Sequence, residues 1–576
     1  MLGGYTWHTS CAPHRTAPHR TLTNLLSRLG LIGLVFTPPA LAASPDAGRL
    51  LDTVRQPEAV PQPPRVTLPP ETRPAEAAPD SAGALIRVKQ FRIEGATLFP
   101  PEALAALLAD LQDRELSLAQ TREAAARVTR HYREAGYFVA RAYLPPQTAA
   151  DGVLTLRVVE GRYGEIQPGA ATDPDTLRAT LGKQGVAAGQ PIRRDDLERG
   201  LLLLEDLGNA GVRASLRPGV SVGTGDLLVD ATGLPPITGD LGLDTFGAES
   251  SGQVRLNAGI GFNGGRGDLA RLRLTHASGL DYLSASYQSP AGHNGLKLGI
   301  SQTWMRYDLD GTFAALGAQG DSRITALNAA YPLILNQRGK LHASASLEHK
   351  ALKDDTSAGN TADKRIDLAT LGLSGVLAAT PGRLYQGRAS LTLGDLDLGR
   401  NPAQQAADAA AGRTQGSYAV LRGNWQSRFD LAGGRNLALK LEGQLPDGNL
   451  DSSEKLALGG PYAVRAYATG ESAADAGLIA HLEWSTPLAL ELPGRTRFTA
   501  FLDAGYAQLN QNLYPGALAA GQRNSYGLYG AGGELAWSNA SGLNASLSLA
   551  ARLGEPPAQV TERDALRAWF SLQQTF

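Results

Sequence analysis

Apolar and polar residues alternate along the chain from about residue 239 to the C-terminus. In residues 341–347, for example, leucine or alanine occupies every second position and polar residues lie between them. Alternation with a period of two predicts β-strands that have one apolar and one polar face. We count sixteen candidate strands over residues 239–576, or about 21 residues for each strand and its connection. This pattern favours a transmembrane β-barrel of about 16 antiparallel strands, with lipid outside and water inside.

Ahead of the barrel, the pattern predicts two small α/β modules. The first has a strand, two helices and two strands, at residues 86–93, 100–111, 117–135, 137–144 and 153–159. The same order recurs at residues 163–166, 173–181, 193–207, 211–216 and 226–230. A repeat of one supersecondary unit indicates two related modules, which we place at residues 85–161 and 162–235. The barrel follows at residues 236–576, with a long loop at residues 445–475.

The N-terminal region predicts an exported protein. A basic stretch, an apolar stretch at residues 29–36 and the small residues before position 43 predict a signal peptide at residues 1–42. The single cysteine, Cys11, lies inside it, so the mature chain would hold neither disulfides nor thiolate metal sites. Residues 43–56 are compatible with a short helix. Residues 57–84 hold eight prolines and predict a semi-rigid, extended Pro-rich linker.

Composition and motifs narrow the function. The chain has 54 basic and 55 acidic residues, which argues against sequence-independent binding of nucleic acid. Outside the N-terminal segment, no run of 18 apolar residues predicts a membrane-spanning helix. The histidines lack metal-ligand spacing, and the glycine pattern at residues 259–264 precedes a strand rather than a helix. No Gly-x-Ser-x-Gly motif is present. We therefore expect no metal, no cofactor and no enzymatic activity.

Aromatic residues fit a barrel in an outer membrane. Five tryptophans are expected to form girdles at the membrane interfaces, namely Trp304, Trp425, Trp484, Trp537 and Trp569. The last predicted strand alternates and ends on Phe576. A terminal strand of this kind is typical of the assembly signal of bacterial outer-membrane barrels.

Two short segments carry a resemblance to a known family. The first, at residues 459–467, reads GGPYAVRAY and lies between the eleventh and twelfth predicted strands. The second, at residues 501–505, reads FLDAG and lies on the thirteenth. Together with the predicted leader, helix, linker and modules, they resemble the two-partner secretion outer-membrane transporters of the haemolysin-activator and filamentous-haemagglutinin-transporter (TpsB) type, within the POTRA-plus-barrel superfamily.

The resemblance implies a particular site. In the family, a long loop folds back into the pore, and the arginine of its Val-Arg-Gly-Tyr/Phe tip pairs with the aspartate of a Phe-x-Asp-x-Gly motif on the barrel wall. The matching tip residues here are Val464, Arg465, Ala466 and Tyr467, and the matching wall residues are Phe501, Asp503 and Gly505. Gly459 and Gly460 form the expected loop turn. Ala466 replaces the usual glycine and would be strained if the position needs a positive φ.

The resemblance also implies partners and a role. The two modules would be periplasmic POTRA domains, and the helix at residues 43–56 would plug the pore. The barrel would lie in the outer-membrane lipid, after insertion by the barrel assembly machinery, as a monomer. An unfolded exported partner protein would be recognised in the periplasm and translocated to the cell surface. An exposed sheet edge near residues 87–93 or 211–216 is a natural site for a peptide to add as a strand.

Three alternatives remain open at the level of sequence. A porin would have the barrel but no need for two periplasmic modules. A barrel-assembly insertase of the same superfamily shares the loop motif but usually has more modules. An outer-membrane hydrolase would depend on a single serine or histidine.

Overall fold

The computed structural model describes residues 46–54, 66–69, 85–148, 150–169, 173–558, 560 and 564–576. The expected signal peptide at residues 1–42 and most of the expected linker lie outside these residues. Within them, no helix is long and apolar enough to cross a membrane.

The chain begins, in its described part, with helix α1 (Ala47–Val54). Apolar residues recur along one face of this helix, and Leu50, Leu51 and Val54 are buried. They pack against lumen-facing side chains of the barrel, including Leu352 and Ile366. The short helix therefore lies inside the barrel, where its apolar face is removed from water.

The first module contains β1 (Ile86–Val88), β2 (Gln90–Glu94), α2 (Pro101–Ala106), β3 (Arg114–Leu116), α3 (Leu118–Glu134), β4 (Arg141–Tyr143) and β5 (Val153–Val159). Ser117 and Gln120 form a capping box at the start of α3. The strand predicted over residues 137–144 is shorter in the structure. Tyr137 donates its backbone N–H to Tyr132 in the last turn of α3, and Ala140 donates to Tyr137, so neither N–H can join a ladder.

The second module repeats this arrangement with β6 (Arg162–Pro168), α4 (Pro174–Lys183), α5 (Arg194–Asp206), β7 (Asn209–Pro218) and β8 (Thr224–Gly233). The sheets have the orders β2-β5-β4 and β6-β8-β7, and in each the first strand runs parallel to the central one. The shared topology agrees with the repeat that the sequence predicts.

The described residues from 237 onward form a closed barrel of sixteen antiparallel strands, the predicted number. Strand β9 pairs with both β10 and β26, and Phe576 exchanges backbone hydrogen bonds of 2.9 Å with Gly239. Closure leaves no open edge among these strands, which a membrane requires. The elements are β9 (Ile237–Asp244), β10 (Arg255–Asn263), β11 (Leu269–Ala277), β12 (Leu280–Pro290), β13 (Lys297–Asp308), β14 (Gln319–Asn336), β15 (Gly339–Thr356), β16 (Gly359–Thr380), β17 (Arg383–Asp397), α6 (Pro402–Ala410), β18 (Gly416–Asp430), β19 (Asn436–Pro446), the loop strands β20 (Leu456–Ala457) and β21 (Ala473–Ala474), β22 (Ala476–Leu488), β23 (Arg495–Gln508), β24 (Ser525–Ser538), β25 (Leu543–Arg552) and β26 (Leu566–Thr575).

The two faces of the barrel follow the alternation in the sequence. Leu347 and Leu371 point outward and are 60% and 66% exposed, as lipid-facing residues must be. The prediction of an interfacial girdle position is wrong for one tryptophan. Trp569 is buried in the lumen, where its indole N–H donates to the carbonyl of Arg465 at 2.8 Å.

Candidate functional site in the barrel lumen

The connection between β19 and β22 folds back into the lumen instead of extending from the barrel. Strands β20 and β21 pair with each other and form its stem. Beyond them, Val464 donates its N–H to Leu458 at 2.9 Å, and Tyr467 donates to Val464 at 3.1 Å. Val464, Ala466 and Tyr467 are all buried. The loop tip is therefore a folded structure that is packed against the barrel wall.

Arg465 at the tip forms a two-pronged ion pair with Asp503 on β23. Its Nε lies 2.9 Å from Oδ2 and its Nη2 lies 2.6 Å from Oδ1 of Asp503. The backbone N–H of Arg465 also donates to Oδ2 at 3.0 Å. A bidentate pair fixes both the position and the direction of the guanidinium. We call Arg465 and Asp503 the lock.

Other side chains complete the surroundings of the lock. The guanidinium carbon of Arg465 lies 3.5 Å from the centre of the Phe501 ring, in cation–π geometry. Its Nη1 lies 3.1 Å from Oε1 of Glu483. His481 Nδ1 lies 2.8 Å from Oδ1 of Asp503. Phe501 belongs to the predicted wall motif, whereas Glu483, His481 and Trp569 were not predicted as part of the site.

The expected strain at Ala466 is absent. Among the described residues other than glycine, positive φ occurs at Asp113, Asp151 and Arg413, so Ala466 has ordinary backbone geometry. Its methyl group faces Gly530 on β24, where a Cβ would approach the Ala466 Cβ to 2.8 Å. A glycine on the wall thus provides the space that the alanine at the tip occupies.

This complementarity predicts a compensating pair of substitutions. Gly530→Ala should loosen the tip, because overpacking of this kind costs about 1–3 kcal/mol. Ala466→Gly alone should be tolerated, and the double variant Gly530→Ala/Ala466→Gly should recover tip protection against proteolysis in purified protein. Equal protease sensitivity of the single and double Gly530→Ala variants would contradict this packing.

The remaining motif residues lie at turns and close approaches. At Gly505, an added Cβ would lie 2.9 Å from Val464, which explains a glycine on the wall behind the tip. Gly459 pairs in a bridge with Val464, and Gly460 has φ of +129°, which strongly favours glycine. Phe576 closes the barrel through its backbone, and its ring packs against Gly239.

Helix α1 is held by charged groups shared with the loop. Lys364 on β16 binds Asp46, just before the helix, at 3.0 Å and Asp451 in the loop at 2.8 Å. Ser452 of the loop also donates to Asp46. At the other end of the helix, Arg255 on β10 donates to the carbonyl of Thr53 at 2.6 Å. The helix and the loop are therefore bound to one another as well as to the wall.

A second buried pair anchors the base of the loop. Lys350 on β15 lies 2.6 Å from Glu454, which also binds Arg422 on β18 at 3.1 Å. Nothing in the alternating pattern distinguishes these charges, or Lys364, from the many other polar residues of the lumen. These charges were therefore not predictable from the sequence.

The sheet edges of the two modules differ in accessibility. Thr67 of the linker pairs in parallel with β7, donating to Val212 at 3.2 Å and accepting from Ala214 at 3.0 Å. The edge predicted at residues 211–216 is thus already occupied. Residues 189–191 pair with the start of β6, at Arg162 and Tyr163, and Thr129 binds the backbone of β4. Among the described residues, none pairs with the outer edge of β2. This strand overlaps residues 87–93, the other region predicted to accept an added strand.

The two modules are joined by a polar contact. Glu160 accepts from the backbone N–H of Thr97 at 2.6 Å and of Leu98 at 2.7 Å. Burial favours a higher pKa for Glu160, but the hydrogen bond from the Thr97 hydroxyl together with these two N–H groups outweighs it and lowers the pKa below its ordinary value. Arg162, which begins the second module, lies 3.5 Å from Glu160 and donates to Thr97 at 2.9 Å. The contact fixes the start of one module against a loop of the other.

A closed barrel with an inward-folded loop and α/β modules ahead of it defines the class of POTRA-bearing outer-membrane barrels. The model of the haemolysin secretion/activation protein family ShlB/FhaC/HecB matches residues 223–522, and that of the ShlB-type POTRA domain matches residues 86–161. The chain belongs to this family. It is an outer-membrane transporter of the two-partner secretion type, with its POTRA domains in the periplasm.

Relatives and solved structures agree with this assignment. The heme/hemopexin transporter protein HuxB of Haemophilus influenzae is 25% identical over 481 residues, which cover 82% of this chain and 84% of HuxB. The outer membrane transporter CdiB of Escherichia coli is 26% identical over 358 residues, or 58% of this chain and 59% of CdiB. The structure of CdiB from Escherichia coli has a TM-score of 0.72 at 21% identity, covering 88% of this chain and 94% of that one. CdiB from Acinetobacter baumannii has a TM-score of 0.65 at 18% identity, with coverage of 90% and 95%.

Proposed function

We propose that the structure is the closed resting state of the transporter and that two elements leave the lumen before the partner protein passes. The observation that carries this proposal is the double occupation of the lumen by helix α1 and the locked loop tip. Barrels of this strand number enclose an aqueous channel when they are empty. Folding of the partner outside the cell, which removes it from the equilibrium, would supply the direction of transport.

The roles follow the domain bounds expected from the sequence. Residues 1–42 direct export, residues 43–56 plug the pore and residues 57–84 connect the plug to the POTRA domains at 85–161 and 162–235. The barrel at 236–576 conducts the partner, and its loop at 445–475 carries the tip that gates it. The proposed function of the protein is transport alone, without a catalytic step.

Opening of the two elements is coupled through Lys364. Because this lysine binds Asp46 and Asp451 together, withdrawal of the helix leaves the loop with fewer contacts. Displacement of the loop in turn removes Ser452 from Asp46. Each element is therefore weakened when the other one leaves, so the closed state behaves as a unit.

Recognition of the partner takes place at the sheet edges of the POTRA domains. An extended segment of an unfolded chain can add as a strand, since the main-chain hydrogen bonds do not depend on its side chains. The edge of β2 is accessible in the resting state, and that of β7 becomes accessible when the linker leaves it. Both regions were candidates on the basis of the sequence.

Biogenesis and oligomeric state complete the proposal. The barrel assembly machinery recognises the terminal strand β26 and the aromatic Phe576 that follows it, before the strand pairs with β9. We propose a monomer, since closure of the barrel leaves no strand edge through which two copies could pair.

The plug tests the resting state directly. A Cβ at Gly48 would lie 2.5 Å from the Cβ of Ser453 in the loop, so Gly48→Ala should displace the helix. We expect the ratio of open to closed pores to rise about tenfold in planar bilayers, from an overpacking cost of about 1.4 kcal/mol. Gly182→Ala is the matched control, because this helical glycine in the second module has nothing within 4 Å of an added Cβ. Identical channel records for wild type and Gly48→Ala would refute the plugging role.

A further inference from the structure

A histidine lies directly behind the lock. His481 on β22 is 8% exposed, and the side chain of Asp503 is fully buried. Among the described residues, Asp503 accepts hydrogen bonds from the backbone N–H, Nε and Nη2 of Arg465 and from Nδ1 of His481. An ionised carboxylate only accepts, so the imidazole must donate its Nδ1–H. His481 is thus the partner of Asp503 that belongs to the wall and does not leave with the loop.

The charges around His481 are predominantly acidic. Lys440 on β19 is its register neighbour, and Glu442, also on β19, interacts with it electrostatically. Glu483 lies on its own strand β22, Asp503 on β23, Arg465 on the loop and Glu534 on β24. Within this described set, four carboxylates face the cations Arg465 and Lys440. When the loop tip withdraws, Lys440 alone remains to balance them.

We propose that His481 is a positioning residue of the lock, which orients Asp503 in the closed state and takes up a proton when Arg465 leaves. The inference rests on the proposed opening of the lock. Removing a guanidinium from a buried carboxylate leaves an uncompensated charge, which is costly in the interior. An imidazolium 2.8 Å away replaces part of that charge without any movement of the wall.

The sign of the pH dependence follows from linkage. The open state binds one proton more than the closed state, so lowering the pH favours opening. With one proton, the opening equilibrium changes by at most about tenfold per pH unit. The experiment therefore scans the pH range in which imidazole groups of proteins generally change charge.

The experiment measures exposure of the tip in purified full-length mature protein. Ala463→Cys places a thiol in the buried tip, and its rate of maleimide labelling reports opening. At each pH, the labelling rate of Ala463→Cys is divided by that of Ser541→Cys, whose thiol lies at an exposed turn. We expect the normalised rate to rise at least about fivefold from pH 7.5 to pH 5.5. In the His481→Asn background, the amide can still donate to Asp503 but cannot titrate, so the profile should be flat.

A matched control and a folding control complete the design. His349→Asn removes a histidine that pairs with Asp367 at 2.7 Å on the exposed outer surface, and its profile should follow wild type. Heat-modifiable gel mobility verifies that each barrel is assembled. A pH response that persists in His481→Asn overturns the proposal for His481 and leaves the transport mechanism standing. A tip that is never labelled, at any pH, overturns both.

Discussion

Replacing Arg465 by alanine is expected to stop export of the partner protein while the barrel still assembles. The substitution removes the two-pronged pair with Asp503 and the contact with Glu483. Breaking a buried pair by removing one partner typically costs about 3–5 kcal/mol, because the other charge remains buried and uncompensated. The tip then loses its single register against the wall, while the base of the loop stays held in the lumen by Lys350 and Lys364. An unregistered tip on a loop that is still anchored obstructs the passage instead of gating it. Asp503→Asn should have the same effect for the opposite reason, since it leaves the guanidinium without its carboxylate.

Secretion of the co-expressed partner protein into the medium measures this effect, and we expect at least a tenfold decrease from a loss of this size. Heat-modifiable mobility separates failed transport from failed assembly. Arg428→Ala is the matched control, because Arg428 makes a similar two-pronged pair with Asp430 at a half-exposed position on the periplasmic side. Export at the wild-type level in assembled Arg465→Ala and Asp503→Asn variants would show that the lock has no role in transport.

The barrel could be predicted in detail because its signal is repeated along the chain. Each strand must present apolar residues to lipid and polar residues to the lumen, so a period of two persists over more than 300 residues. The order of strands follows from the sequence once the barrel is closed. The positions of the tip and wall motifs on the eleventh-to-twelfth connection and the thirteenth strand followed from that count.

The surroundings of the site were not predictable in the same way. Lys364 and His481 are single polar residues at lumen positions, and their partners are distant in sequence. Alternation says that a residue faces the lumen, but not which loop folds back against it. Trp569 shows the same limit, since an aromatic residue near a barrel rim suits a girdle as well as a loop contact. The space for Ala466 depends on Gly530, 64 positions away, and no local pattern relates the two.

The occupied edge of β7 leads to the second large effect. Thr67 of the linker and Arg213 are bridge partners, and both side chains are exposed. Cysteines at neighbouring positions on paired strands are within the usual range for a disulfide, and the oxidising periplasm favours its formation. The double variant Thr67→Cys/Arg213→Cys should therefore fix the linker on β7, in a mature chain that is expected to have no other cysteine.

If the partner protein must replace the linker at this edge, the oxidised double variant is expected to secrete almost none of it. Secretion should return when a reductant opens the disulfide, because the fold and the rest of the site are unchanged. Thr67→Cys and Arg213→Cys alone should secrete normally with or without reductant, since neither can form the bond. Undiminished secretion by the oxidised double variant would show that the linker stays on β7 during transport. Recognition would then belong to the accessible edge of β2, since residues 189–191 pair with the start of β6 and Thr129 binds the backbone of β4.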